Sequence, residues 1–149
     1  DVPFCVYSRP ARVRGRGEVV EPLTEAMPPL WVIVSKPGIS VSTPKILKLV
    51  DYSNMQHGDM VGLMTAVNSG DFQTAYHKMF NVLEAITGAK YPEILKLKQK
   101  MYDFGADAAQ MSGTGPTVFA ISEKASRAKR IYNAVRGFVS ETYLVRLVN

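Results

Sequence analysis

Apolar positions fall into two registers along this chain. Continuous apolar runs of strand length occupy residues 30–35, 108–111 and 117–121, and residues 142–148 alternate through Tyr143, Val145 and Leu147. Elsewhere the apolar positions recur at helical spacing. Met60, Leu63, Met64 and Val67 form one stripe, and Phe72, Ala75, Tyr76, Met79, Phe80 and Leu83 a longer one. Ile94, Leu97, Met101 and Phe104 form a third, and Ala128, Ile131, Tyr132 and Val135 a fourth. Such stripes mark helices that bury one face in a core. Thr43-Pro44 reads as an N-cap with proline at the first helical position, predicting a helix over 44–50. Pro92 opens another helix, which Gly105 closes.

From Leu30 the order is therefore strand, several helices, strand, strand, helix, strand. That order predicts an α+β fold: an elaborated split βαβ, ferredoxin-like, with helices on one face of an antiparallel sheet. Ahead of it, residues 2–7 and 11–20 read as short strands, interrupted by Pro10 and a turn over 14–17. A Pro-rich passage over 21–29 marks the boundary, dividing the chain into residues 1–29 and 30–149. No internal repeat or low-complexity segment interrupts this order.

Composition narrows the classes. At 149 residues the chain is long enough for one core that buries roughly two-thirds of its unfolded surface. No apolar run approaches the roughly 18 to 20 residues that cross a bilayer, and the opening lacks a secretory profile, so the expected location is cytoplasmic with no membrane partner. The single cysteine, Cys5, reads as a small buried hydrophobe. With His57 and His77 scattered, no metal-ligand spacing is present. The net charge is +5. Arg12, Arg14 and Arg16 alternate, so an extended strand would project them from one face, as a solvated surface or as an attractor of polyphosphate. Lys96, Lys98 and Lys100 spread around a helix, and without interleaved aromatics nucleic-acid binding is disfavoured.

The chemistry-bearing motif is Met111-Ser112-Gly113-Thr114-Gly115-Pro116-Thr117, small residues between two apolar runs. Glycine permits the dihedrals that aim several backbone N–H groups at one anion. In isolation the loop reads equally as a hairpin turn. Three further stretches stand in order with it: Asp1-Val2-Pro3-Phe4-Cys5-Val6-Tyr7, Arg14-Gly15-Arg16-Gly17-Glu18, and Val34-Ser35-Lys36-Pro37-Gly38 running on to Ser42-Thr43-Pro44-Lys45. Phe104-Gly105-Ala106-Asp107-Ala108 precedes the loop. With these the chain resembles the C-terminal half of a kinase of the galactokinase, homoserine kinase, mevalonate kinase and phosphomevalonate kinase (GHMP) superfamily, in the branch acting on a cytidine-diphosphate-linked sugar alcohol.

That resemblance implies the same α+β architecture and transfer of the ATP γ-phosphoryl group, with Mg²⁺, to a tertiary hydroxyl of the sugar alcohol in the non-mevalonate route to isoprenoids. It makes Asp1 the acceptor of the hydroxyl proton. It places Thr43, Pro44 and Leu47 by the cytidine, with Leu47 either where an aromatic often stacks on the base or simply a core residue of its helix. Ser112, Gly113, Thr114 and Gly115 would border the phosphates. The family's pairing lysine and main glycine-rich loop fall before residue 1. The chain is thus expected to need a missing N-terminal half and to be inactive alone, with residues 1–20, strands of a sheet whose other members precede Asp1, disordered, folded back as a hairpin or paired with a second copy, a dimer through this segment being the specific expectation. Ser8-Arg9-Pro10-Ala11-Arg12 departs from the small residues the family carries there, losing φ freedom and one donor. A non-catalytic ligand-binding or interaction module therefore stands as the alternative.

Overall fold

The structure is a computed structural model that describes residues 2–23 and 27–147. Its core is a four-stranded antiparallel sheet built from β3 (Trp31–Lys36), β4 (Ala108–Met111), β5 (Val118–Ser122) and β6 (Glu141–Arg146), in spatial order β4-β5-β3-β6. Two antiparallel ladders flank β3, Val34 facing Phe119 on one side and Tyr143 on the other. Strands adjacent in space but distant in sequence need helical crossovers, which α6 (Pro92–Asp103) and α7 (Ala125–Arg136) provide. The result is the split βαβ arrangement, elaborated by helices between β3 and β4.

Side-chain alternation on the strands decides which face is filled. Ile33, Ala109, Met111, Val118 and Ala120 share one face with Ile94, Leu97 and Met101 of α6 and Ala128, Ile131 and Val135 of α7. Burying an aliphatic side chain there contributes about 1.5 to 3 kcal/mol. The reverse face is covered at its β4–β5 end, where Tyr76 of α4 (Phe72–Lys78) packs with Leu30, Ala108 and Ile121. α4 in turn packs on α3 (Met60–Asn68) through Ala66, Val67 and Ala75.

Capping explains the helix ends. Asp59 and Asp71 accept from the backbone N–H groups of Gly62 and Thr74, opening α3 and α4. The Lys78 ammonium, donating to Asp59 at 2.6 Å, together with the Gly62 N–H, holds the Asp59 carboxyl below its ordinary range. At the end of α6, Gly105 takes φ +96°. Its N–H donates to Tyr102 O while that of Ala106 donates to Met101 O, the paired bonds of a Schellman motif.

Four expectations are corrected. Residues 2–7 are a helix, α1 (Val2–Tyr7), and not a strand. A short apolar run does not itself distinguish the two; among the described residues no strand pairs with 2–7, and the backbone satisfies itself locally, Ser8 N–H donating to Phe4 O. The strand reading survives only downstream, as the hairpin of β1 (Ala11–Arg14) and β2 (Val19–Pro22), which extends into the expected linker. Arg12 and Arg14 both lie against Glu21, at 3.8 and 3.0 Å, while Arg16 sits in the turn, so no three-arginine face forms. Cys5 is exposed on α1, which buries none of its residues. Finally, the stripe running to Leu83 is not one helix: α4 stops at Lys78, Met79, Phe80 and Leu83 lie in an irregular turn over 79–83, and α5 (Glu84–Lys90) follows it. Asp1 lies outside the described residues.

Candidate functional site

The glycine loop joins β4 to β5, adjacent antiparallel strands. Its backbone groups can be followed one by one. The Ser112 N–H donates to Thr117 O at 2.8 Å, continuing the ladder, and the Gly115 N–H donates to Ser112 O at 2.9 Å, closing the turn. No partner among the described residues accepts from the N–H groups of Gly113 and Thr114. Two donors on successive residues of one turn can converge on an anionic oxygen. The glycines have different reasons for being there. Gly113, at φ +55°, has open space where a side chain would go; Gly115, at φ +81°, would place a Cβ 2.8 Å from the Met111 sulfur. Dihedral freedom selects the first, and close packing reinforces the second.

Three side chains hold the loop from different elements. Asn81, in the turn between α4 and α5, donates its amide to Met111 O at 2.8 Å and to Gly113 O at 2.9 Å. Thr87 of α5, fully buried, donates to Thr114 O at 3.3 Å. Thr43, the first residue of α2 (Thr43–Leu47), shares a hydroxyl–hydroxyl bond of 2.8 Å with Thr114. The expected N-cap is therefore one residue earlier, at Ser42, which leaves the Thr43 hydroxyl free for the loop. Pro44 sits in the first turn of α2 as expected. Leu47 lies one turn beyond Thr43 and is 41 % exposed, while Ile46 makes the core contact. The core reading of Leu47 thus falls away.

Beneath the loop, Glu84 accepts from the Met111 N–H at 3.0 Å and from the Lys98 ammonium at 2.5 Å; Lys98 also donates to Gln110. Lys98 is the inward member of the lysine run. A cleft of about 540 Å³ opens beside the loop, walled by Leu63, Phe80, Asn81, Gln110, Gly113 and Phe119. Among the described residues no group of three His, Cys, Asp or Glu side chains is placed to hold a metal, and no helix is long and apolar enough to cross a membrane. His77 ties back to Gln73 O of its own helix, and His57 lines a small separate pocket beside Lys78.

Sequence reasoning found the loop and Thr43 but missed Asn81, Glu84 and Thr87. A signal for the first two was present: Asn81-Val82-Leu83-Glu84 has the spacing of a helix-opening box, which breaks the apolar stripe at Asn81. Asn81 does play that part in one respect, accepting from the Leu83 N–H at 2.9 Å.

The sheet with its crossover helices, the tethered glycine loop and the helix start at Thr43 together define a C-terminal domain of the GHMP kinase class. The family model described as "GHMP kinases C terminal" matches residues 53–141, and the chain belongs to that family. It is 53 % identical over its whole length to a 4-diphosphocytidyl-2-C-methyl-D-erythritol kinase of Lactiplantibacillus plantarum, and 51 % identical over 99 % of its length to one of Pediococcus pentosaceus. It covers 52 % of each, so the chain spans about half the length of the curated relatives it matches. A crystal structure of 4-(cytidine 5'-diphospho)-2C-methyl-D-erythritol kinase superposes with a TM-score of 0.81 at 28 % identity, covering all of this chain and 53 % of that one. The homoserine kinase of Cytophaga hutchinsonii shares the fold, with a TM-score of 0.77 at 20 % identity over 99 % of this chain and 50 % of its own.

Proposed function

We propose that this chain is the C-terminal, substrate-side half of an ATP-dependent kinase that phosphorylates the hydroxyl of 4-diphosphocytidyl-2-C-methyl-D-erythritol. The observation that carries this reading is identity at about half of all positions, sustained along the chain, to kinases of that one named activity. Residues 1–29 then close the nucleotide-side domain, and residues 30–149 form the substrate-side domain.

On this reading each part has a role. The unengaged N–H groups of Gly113 and Thr114 would bind phosphate oxygens, where donors fixed before the reaction stabilise developing charge without reorganising. Thr43, Pro44 and Leu47 would flank the cytidine, Leu47 offering apolar contact in place of a stacking ring. Asp1 would take the hydroxyl proton. ATP with Mg²⁺ supplies the phosphoryl group and neutralises its charge. The Gly113 and Thr114 donors suit its phosphates, whereas the described residues offer no carboxylate cluster for the metal. Residues 1–20 would dock on the N-terminal half and, without it, pair two copies of the chain; light scattering with and without those residues reads this.

The decisive experiment places the chain behind the N-terminal half of the Lactiplantibacillus plantarum relative and supplies Mg-ATP and the cytidine-diphosphate sugar alcohol. Turnover is expected from the hybrid, not from the chain alone, and is lost with Asp1→Asn. A folded hybrid that binds both substrates yet turns over neither would favour the non-catalytic module, the reading to which Ser8–Arg12 points. Residue Ser8 there adopts φ +52°, a conformation for which glycine is better suited.

A further inference from the structure

We infer that Asn81 is a positioning residue for the phosphate-facing loop: its side-chain amide sets the direction in which the Thr114 N–H points. In a trans peptide the C=O of one residue and the N–H of the next lie on opposite sides of one rigid plane. Fixing a carbonyl therefore aims the following N–H the other way. The Asn81 amide draws in the carbonyl of Gly113 at 2.9 Å, so the N–H of Thr114 turns away from Asn81. Gly115 does the same for Gly113, because the carbonyl it engages, that of Ser112, belongs to the peptide carrying the Gly113 N–H. Thr87 completes the pattern by holding the Thr114 carbonyl.

Asn81 is suited to this by chemistry as well as by place. A primary amide carries two donor hydrogens and one acceptor, and all three functions are used here: Met111 O and Gly113 O receive, and Leu83 N–H gives. The same residue thus shapes the turn that leads into α5 and spans the loop's entrance. Without it Gly113, exposed and with open space around it, has no side-chain tether, and its glycine dihedrals leave the peptide free to flip. The assignment rests on the phosphate-side reading of the loop and adds the residue that presents it.

The test uses the 149-residue chain and inorganic pyrophosphate as the probe, with the Gly113 and Thr114 amide resonances followed by two-dimensional NMR. In the wild type both amides shift on titration. Asn81→Asp keeps the shape and the acceptor for Leu83 N–H but turns a carboxylate on two carbonyls. It should weaken the response roughly tenfold at neutral pH, the factor expected for losing two neutral hydrogen bonds of ordinary net strength. Acidification that protonates the introduced carboxyl returns one donor. The variant's binding should then recover relative to the wild type at the same pH, which a purely structural defect would not do. Asn81→Ala carries the test at neutral pH if the aspartate variant does not fold. Equal responses from wild type and variant overturn the role of Asn81 while leaving the loop an anion site. Silence of both amides in the wild type overturns the phosphate reading of the loop and this assignment with it.

Discussion

Along the outer edge of β4 the backbone is met by side chains. The Tyr102 hydroxyl accepts from Ala109 N–H at 3.0 Å and donates to Ala109 O at 3.2 Å, Glu84 takes the Met111 N–H, and Asn81 donates to Met111 O. All four residues of β4 are buried. At the opposite edge β6 shows no such side-chain cap among the described residues, lies exposed along most of its length, and carries Glu141 and Arg146 at its ends. Both solve the same problem, since an unpaired strand edge invites another strand, but one does so by covering the edge and the other by charging it. The covered edge is the one that leads into the glycine loop. Its caps come from α6, from α5 and from the turn before α5, so helix packing and loop geometry are one construction there. This predicts that comparable substitutions at the two edges differ severalfold in cost.

The largest difference is expected between two glutamates. Glu84 is 14 % exposed and serves both Lys98 and the Met111 N–H; Glu141 is 49 % exposed and pairs only with Lys36 across the strands. Glu84→Ala leaves a mostly buried ammonium and a strand N–H without their partner, costing about 3 kcal/mol. Glu141→Ala should stay within about 0.5 kcal/mol. Urea unfolding of both variants measures this, and similar midpoints would mean that the cap on β4 is not a stability element.

Next come the two loop glycines, which sharpen the comparison within the covered edge. Gly115→Ala meets both a left-handed dihedral and the Met111 sulfur, for about 3 kcal/mol. Gly113→Ala meets only the dihedral, about 1 kcal/mol. Thermal unfolding ranks them, and an equal loss would show that packing beneath Gly115 yields freely.

How much of this was visible beforehand follows from the kind of interaction involved. The sheet and its crossover helices were legible because their signal is local: β-length runs such as 117–121 and periodic stripes such as Ile94, Leu97 and Met101 record which faces are buried. The loop was legible because glycine spacing is itself a backbone signal. The cap on β4 was not, since Tyr102 and Glu84 look like ordinary surface positions of their helices until the strand is brought beside them. Residues 2–7 failed for a related reason: a short apolar run takes its structure from its neighbours, and here β2 pairs with β1 and not with this segment. Thr43 shows the middle case, in which the helix start was found within one residue but the hydroxyl's partner, 71 positions away, was not.

A third comparison removes one atom at the cap itself. Tyr102→Phe deletes a hydroxyl that satisfies both a donor and an acceptor of Ala109, and should cost about 1.5 kcal/mol. Because it also uncovers part of the edge, the variant should self-associate more readily at high concentration, which sedimentation velocity would detect. An unchanged stability would indicate that water replaces the hydroxyl without penalty.

The same substitution behind the strand should have the opposite sign. Tyr76 packs on Ala108 from the reverse face and is 5 % exposed, yet its hydroxyl has no hydrogen-bond partner among the described residues. A buried, unsatisfied hydroxyl is a cost of folding, so Tyr76→Phe should be neutral or should gain up to about 1 kcal/mol. The gain should grow in alkali. Burial first, and then the nearby carboxylate of Glu123, close enough to attract the hydroxyl proton though outside hydrogen-bond geometry, and the charge of Asp107 push the phenol of Tyr76 above its ordinary value. A folded-state value raised in this way means that the unfolded chain releases the proton more easily. The contribution of Tyr76 to stability is thus complete below about pH 10 and declines above it, as the unfolded phenol ionises. Phenylalanine has no proton to lose, so the two proteins should diverge between about pH 9 and 11, the variant keeping more of its stability. Unfolding midpoints across that range decide the matter. Parallel curves would mean that the Tyr76 hydroxyl reaches water after all, and a variant less stable than the wild type at neutral pH would mean that it bonds the Glu123 carboxylate, a support of the β4 end comparable to Tyr102.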